Sequence, residues 1–222
     1  MDWTALGLSL KLGALTTCIL LPLGIVLARW LAYRSFRGKS LVEAAVALPL
    51  VLPPTVFGYY LLVVFGAASP IGQLWQPVFG QQLVFTFEGL LLASIIFNIP
   101  FAIQPMQRSF EAIPPDVREA AACCGLTPWQ SLRRVELPLA WPGVLTAMVL
   151  SFAHTLGEFG IVLMVGGSIP GETKTIAIAI YDRVQAFDEA SAAKMAALLL
   201  ALSLAAVALT FGLSRRIGRR FG

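Results

Sequence analysis

The chain has 222 residues, 58% apolar and 13% charged, with a formal net charge of +4 and a mean hydropathy of +0.80. Soluble domains carry about 25% charged residues, so this composition excludes a water-soluble enzyme, a disordered chain and a collagen-like fibre, and points to a polytopic membrane protein. Cys18, Cys123 and Cys124 have no C-x-x-C spacing, and the single histidine is His154, which argues against a disulfide framework or a structural zinc site.

A membrane helix needs about 20 mostly apolar residues, so the gaps between charges act as a ruler. There are 17 uncharged residues between Lys11 and Arg29, 44 between Glu43 and Glu88, 19 between Glu88 and Arg108, and 20 between Lys194 and Arg215. The stretch from Leu137 to Gly171 is interrupted only by His154 and Glu158. These gaps predict five spans, near 7–28, 42–65, 85–106, 142–165 and 193–213. The first reads as an anchored helix rather than a cleaved signal, because Asp2 stands where a signal has basic residues. Between the second and third, the piece GAASPIGQLWQPVFGQQ is too polar and too rich in turn formers to cross.

Twelve of the 16 Lys and Arg residues fall after the first span, after the third, or in the tail at Arg215, Arg216, Arg219 and Arg220. The connection after span two has none. The positive-inside bias therefore predicts an outer N-terminus and a cytoplasmic C-terminus. Basic residues spread over three short connections, without interleaved aromatics, are explained by topology and leave no reason to expect a nucleic-acid partner.

The cytoplasmic connection 107–141 is long for such a protein. Pro114 and Pro115 stop the incoming segment, DVREAAACC reads as a short helix ended by Gly125, and Thr127 reads as the cap of a second helix, PWQSLRRV, stopped by Pro138. Two short helices meeting at a glycine form a knob that can dock into a groove on a soluble partner, with Ala120, Ala121 and Ala122 permitting close approach and Glu119 adding a polar contact. Cys123 and Cys124 read as small fillers of that knob.

The chain resembles a known family here. Glu119-Ala120-Ala121, then Gly125 after three residues, then Val135-x-Leu137-Pro138 after nine more, is similar to the EAA loop of the inner-membrane subunits of ATP-binding cassette importers. The departure is Val135 where Ile is usual. Leu156-Gly157-Glu158-Phe159-Gly160, followed by Ile169-Pro170-Gly171-Glu172-Thr173-Lys174-Thr175, resembles the oxyanion permeases for molybdate and sulfate. The run Leu48 to Thr55 with Gly58-Tyr59 resembles the molybdate branch, as does the length, since sulfate permeases usually have six spans. His154 stands where these permeases more often have Arg.

The resemblance implies an all-α polytopic membrane protein with five transmembrane helices, of the type I importer permease fold, with residues 1–222 as one permease domain in the inner membrane. It implies a homodimer, cytoplasmic ATPase subunits that hold ATP and magnesium, and a periplasmic or lipid-anchored molybdate-binding protein, with membrane lipid around the spans. Glu119, Ala120, Ala121, Gly125, Leu137 and Pro138 are then the residues that couple to the ATPase. No phosphate-cradling G-x-x-x-x-G-K-S/T run is present, so the chain is expected to bind no cofactor and to be no enzyme.

The residues themselves suggest where the path lies. Pro49, Pro53 and Pro54 remove backbone donors, and non-helical backbone at membrane depth is tolerated only inside protein or beside a water-filled cavity. Span two is therefore expected to line the pathway through Pro53, Pro54 and Thr55, and Asn98 with Pro100 makes the same argument more weakly. His154 and Glu158, four apart, would share a helix face and satisfy each other. Glu158 is then either a structural partner or a gate residue, with Gly157 and Gly160 allowing the backbone to hinge. Five helices are too few to enclose a hydrated anion, which also predicts a symmetric pair. Sulfate, thiosulfate or another oxyanion as cargo, or a secondary transporter, remain open alternatives.

Overall fold

The computed structural model describes residues 1–221, with side chains described as far as Ala208. The tail arginines Arg215, Arg216, Arg219 and Arg220 lie outside those described side chains. Every regular element among the described residues is helical. Among the described residues, four helices are long and apolar enough to cross a membrane, and one bent pair brings the number to five if it is counted as a single span.

Three long helices make the centre. Helix α1 (Trp3–Tyr33) starts where the Asp2 carboxylate accepts the Ala5 N–H at 3.0 Å. Its 31 residues, at about 1.5 Å each, make it longer than a hydrocarbon core of about 30 Å, and its last turns carry Arg29, Trp30 and Tyr33. Helix α5 (Phe87–Glu111) is capped by Thr86. The third crosses as a continuous 30-residue helix, Pro128–Gly157, composed of α7 (Pro128–Ser131), a π turn (Leu132–Glu136) and α8 (Leu137–Gly157). Ala28 and Leu31 of α1, Ile103, Met106 and Phe110 of α5, and Ala140, Val144 and Ala147 of α8 are buried in one cluster. The alanines let the helix backbones approach closely, as packing inside a bilayer requires.

The second expected span is broken. Helix α2 (Lys39–Val51) and helix α3 (Pro54–Phe65) meet at 111°. A residue before proline is pushed out of the helical region, and two prolines in a row do this twice, leaving Leu52 at ψ 137° and Pro53 at ψ 134°. The polar piece that follows contains helix α4 (Pro70–Phe79), capped by Ser69, whose 10 residues are too few to cross.

Two expectations about the fourth span are corrected. Pro138 does not stop the second loop helix: the chain passes through it into α8 without a break. The π turn widens the ladder immediately before it, so that the Leu137 N–H reaches back to the Leu132 carbonyl, and a widened turn accommodates a ring that lacks an N–H. At the other end the helix stops at Gly157, Glu158 turns extended at ψ 128°, and a separate helix α9 (Gly160–Gly166) follows. The chain then forms α10 (Ile176–Gln185) and α11 (Glu189–Phe221), which pack on the start of α1 through Ile176, Ala179 and Met195 against Ala5 and Leu6.

Candidate pathway and coupling sites

The two breaks face each other. Helix α3 lies against α9, with Leu61 and Phe65 packed on Ile161 and Val165 over Ala93 and Phe97 of α5. The approach is close in both directions: a Cβ on Gly58 would fall 2.9 Å from the Met164 Cβ, and one on Gly160 would fall 2.9 Å from the Pro54 Cβ. Both distances are shorter than side-chain contacts allow, so glycine is required at each position.

Around this junction lies a cleft of about 540 Å³ lined by Pro54, Thr55, Phe97, Ala153, His154, Gly157, Glu158, Phe159 and Gly160. The structure thus gathers Pro54, Thr55, His154, Gly157, Glu158 and Gly160 from the sequence-derived set, with Pro53 preceding Pro54 in the bend. Asn98 stands behind His154, its side-chain oxygen 3.1 Å from the imidazole Nδ1, while its amide donates to the Ser94 carbonyl at 2.8 Å. The His154 ring stacks on Phe101 at 4.0 Å between centroids and lies tilted to Phe97 at 5.3 Å.

The expected pairing of His154 with Glu158 is therefore absent. Helical spacing puts residues four apart on one face only while the helix lasts, and here it ends between them. Glu158 is 5% exposed, and neither carboxylate oxygen has a hydrogen-bond partner among the described residues. Buried polar groups are rarely left in this condition.

The second site is the loop that carries the EAA run. Helix α6 (Pro115–Cys123) ends in a Schellman arrangement, with the Leu126 N–H reaching the Ala121 carbonyl at 3.2 Å across Gly125, whose φ is +75°. Glycine adopts that conformation without strain, which is why it ends the helix. Thr127 and Gln130 then form a reciprocal capping box at the start of α7. Glu119 and Ala120 are exposed, Ala121 is buried against the fold, and Leu137 and Pro138 are half-buried in the first turn of α8.

An ion pair that sequence reasoning missed ties this loop to the bundle. Arg29 of α1 donates from Nε and Nη2 to the two oxygens of Glu136, at 2.6 and 2.9 Å, and the Ser131 hydroxyl donates to the same carboxylate at 2.9 Å. Glu136 is 1% exposed. The Arg118 guanidinium of α6 lies 3.6 Å from the centre of the Tyr33 ring. Glu136 sits at the unspecified place between Val135 and Leu137, and Arg29 reads as a topology charge, so only their sizes and signs hinted at a contact spanning 107 residues.

The family described as the binding-protein-dependent transport system inner membrane component matches residues 21–220. The chain belongs to that family. It is therefore a multi-pass inner-membrane transport component. It is 50% identical to the molybdenum transport system permease protein ModB of Azotobacter vinelandii, covering 86% of this chain and 84% of that one. Identity to the corresponding Escherichia coli K12 protein is 36%, covering 100% of this chain and 97% of its relative. The sulfate transport system permease protein CysT of Escherichia coli K12 is 34% identical, over 89% of this chain and 71% of the relative. Among solved structures, a bacterial alginate ABC transporter in complex with alginate-bound periplasmic protein is similar at a TM-score of 0.76, with 21% identity over 96% of this chain and 78% of that one. The inward-facing MetNI methionine ABC transporter is similar at 0.71, with 18% identity over 97% and 94% of the two chains. These likenesses establish the fold of an importer permease.

Proposed function

We propose that two copies of this chain form the transmembrane path of an ATP-driven importer whose cargo is molybdate, with tungstate, of like charge and shape, as a companion. The observation that carries this reading is the 50% identity to a molybdenum permease across most of both chains. Residues 1–222 act as one permease domain, N-terminus outside and C-terminus in the cytoplasm, as the distribution of basic residues favours.

A cytoplasmic ATPase that binds ATP and magnesium supplies the energy, and a periplasmic or lipid-anchored binding protein delivers the anion to the outer connection. Closure of the ATPases pushes on the knob at Glu119, Ala120, Ala121 and Gly125. The push enters the bundle through the helix that Leu137 and Pro138 belong to, and the Arg29–Glu136 pair passes it to α1. The same helix ends at Gly157, beside the cleft, so a shift of the knob changes how α9 seats on α3. Pro53, Pro54, Thr55, Asn98, His154, Gly157, Glu158 and Gly160 are then the gate. Glu158, unpartnered within one copy, is satisfied by the second copy, which also keeps a negative charge out of the way of an anion.

The test is ATPase stimulation in liposomes holding this chain with its ATPase, after addition of the binding protein loaded with molybdate, tungstate or sulfate. Stimulation by molybdate and tungstate supports the proposal. Stimulation by sulfate alone replaces the cargo, and failure to form an ATPase complex removes the importer reading.

A further inference from the structure

At the end of α1 lies a second cleft, of about 730 Å³, lined by Val26, Arg29, Trp30, Tyr33, Arg34, Arg118, Pro128, Trp129 and Leu132. Its lining holds three arginines and no acid. Arg29 is committed to Glu136, but Arg34 and Arg118 form no ion pair among the described residues. Arg118 is held in place over the Tyr33 ring, and the Tyr33 hydroxyl has no hydrogen-bond partner among the described residues. Two cations in one cleft suit an anion with several acceptor oxygens.

The position of the cleft says what carries that anion. Arg29, Trp30 and Tyr33 follow the apolar stretch of α1, and Trp129 opens the helix that enters the membrane from the same side, so the cleft lies at the level of the lipid headgroups. Trp30 and Trp129 are exposed, as interfacial tryptophans are. The apolar wall continues along α1 from Val26 to Leu23, both at least half exposed, on one helix face pointing back into the hydrocarbon. A free oxyanion has no use for such a strip, whereas an acyl chain does.

We propose that this cleft, between the end of α1 and the coupling loop, binds the phosphate headgroup of an anionic phospholipid, with Arg34 and Arg118 holding the phosphate, the Tyr33 ring positioning Arg118, and Val26 and Leu23 holding the first part of an acyl chain. The lipid would bridge α1 to α6 and fix the coupling loop at the membrane surface. Such a site would serve the importer equally well whichever cargo it carries.

The test is native mass spectrometry of the detergent-purified complex of this chain with its ATPase, titrated with phosphatidylglycerol or phosphatidylcholine. Phosphatidylglycerol adducts are expected to be retained in preference to phosphatidylcholine. The Arg34→Gln and Arg118→Gln changes should each weaken that retention by about fivefold, and together by about 25-fold, the worth of two basic residues at an anionic surface. Should the double variant fail to assemble, Val26→Glu places an acid in the cleft from the exposed face of α1 and must also reduce phosphatidylglycerol retention. Equal retention of the two lipids overturns the proposal, as does retention unchanged in the variants. Displacement of phosphatidylglycerol by millimolar inorganic phosphate would assign the cleft to a free anion and overturn the lipid.

Discussion

Glu136 and Glu158 lie 22 residues apart in the chain, both nearly inaccessible, and they are treated in opposite ways. Glu136, near the coupling loop, receives two hydrogen bonds from Arg29 and one from Ser131, and the helix ends around it are closed by a Schellman turn and a capping box. Glu158, at the cleft, receives none, and the backbone on both sides of it is broken. A satisfied polar network has one arrangement and behaves as a rigid lever. A carboxylate without a partner in its own chain, beside two helix breaks, is a place where a second arrangement costs little, which is what a gate requires. In the proposed mechanism, the contrast separates the part of the molecule that transmits force from the part that moves.

The largest effect expected from breaking this contrast is at the lever. Arg29→Ala leaves Glu136 buried and unpaired, which costs about 3–5 kcal/mol. Thermal unfolding of the purified complex should show a strongly lowered midpoint, and an unchanged midpoint would mean that the pair does not stiffen the loop. At the gate, Gly160→Ala drives a Cβ against Pro54, an overpacking that costs about 1–3 kcal/mol and separates α9 from α3. Molybdate uptake should fall more than the unfolding midpoint does, because the α3–α9 packing that the added methyl disturbs forms the wall of the cleft.

A milder change acts on the knob. Gly125→Val forces a β-branched residue into positive φ, at a cost of about 1–3 kcal/mol. Membrane insertion should be intact while transport separates from ATP hydrolysis. The smallest effect on stability, and the sharpest comparison, comes from Glu158→Gln. Glutamine keeps the shape and accepting oxygen of the side chain while removing a buried charge, so the change should leave the unfolding midpoint unchanged or raised while altering uptake, whereas Glu136→Gln, which breaks the ion pair with Arg29, should lower the midpoint. Equal shifts from the two substitutions would erase the distinction between lever and gate.

Much of this was legible in the chain. Pro53 and Pro54 announced a broken span because proline removes a donor whatever surrounds it, and Gly125 announced a helix end because few other residues adopt its φ. The cleft residues could be grouped because prolines and glycines in apolar segments mark backbone that must be satisfied elsewhere. What failed was geometry that depends on a continuous helix. No proline flags the break after Gly157, so the spacing of His154 and Glu158 suggested a pair that the break removes. The true partner of His154, Asn98, lies 56 residues away on another helix. Pro138 misled in the other direction, since a π turn cannot be seen in the residue pattern. The Arg29–Glu136 pair was hidden for the same reason as Asn98, because its meaning lies in which helices pack together.

The central claim, that the loop around Gly125 transmits ATP hydrolysis to the cleft around Glu158, is most directly tested by measuring molybdate uptake and phosphate release together. Proteoliposomes would hold the wild-type chain or Gly125→Val with the ATPase and loaded binding protein. The account predicts uptake in step with hydrolysis for the wild type, and hydrolysis with little uptake for the variant. The same number of anions carried per ATP in both would contradict it.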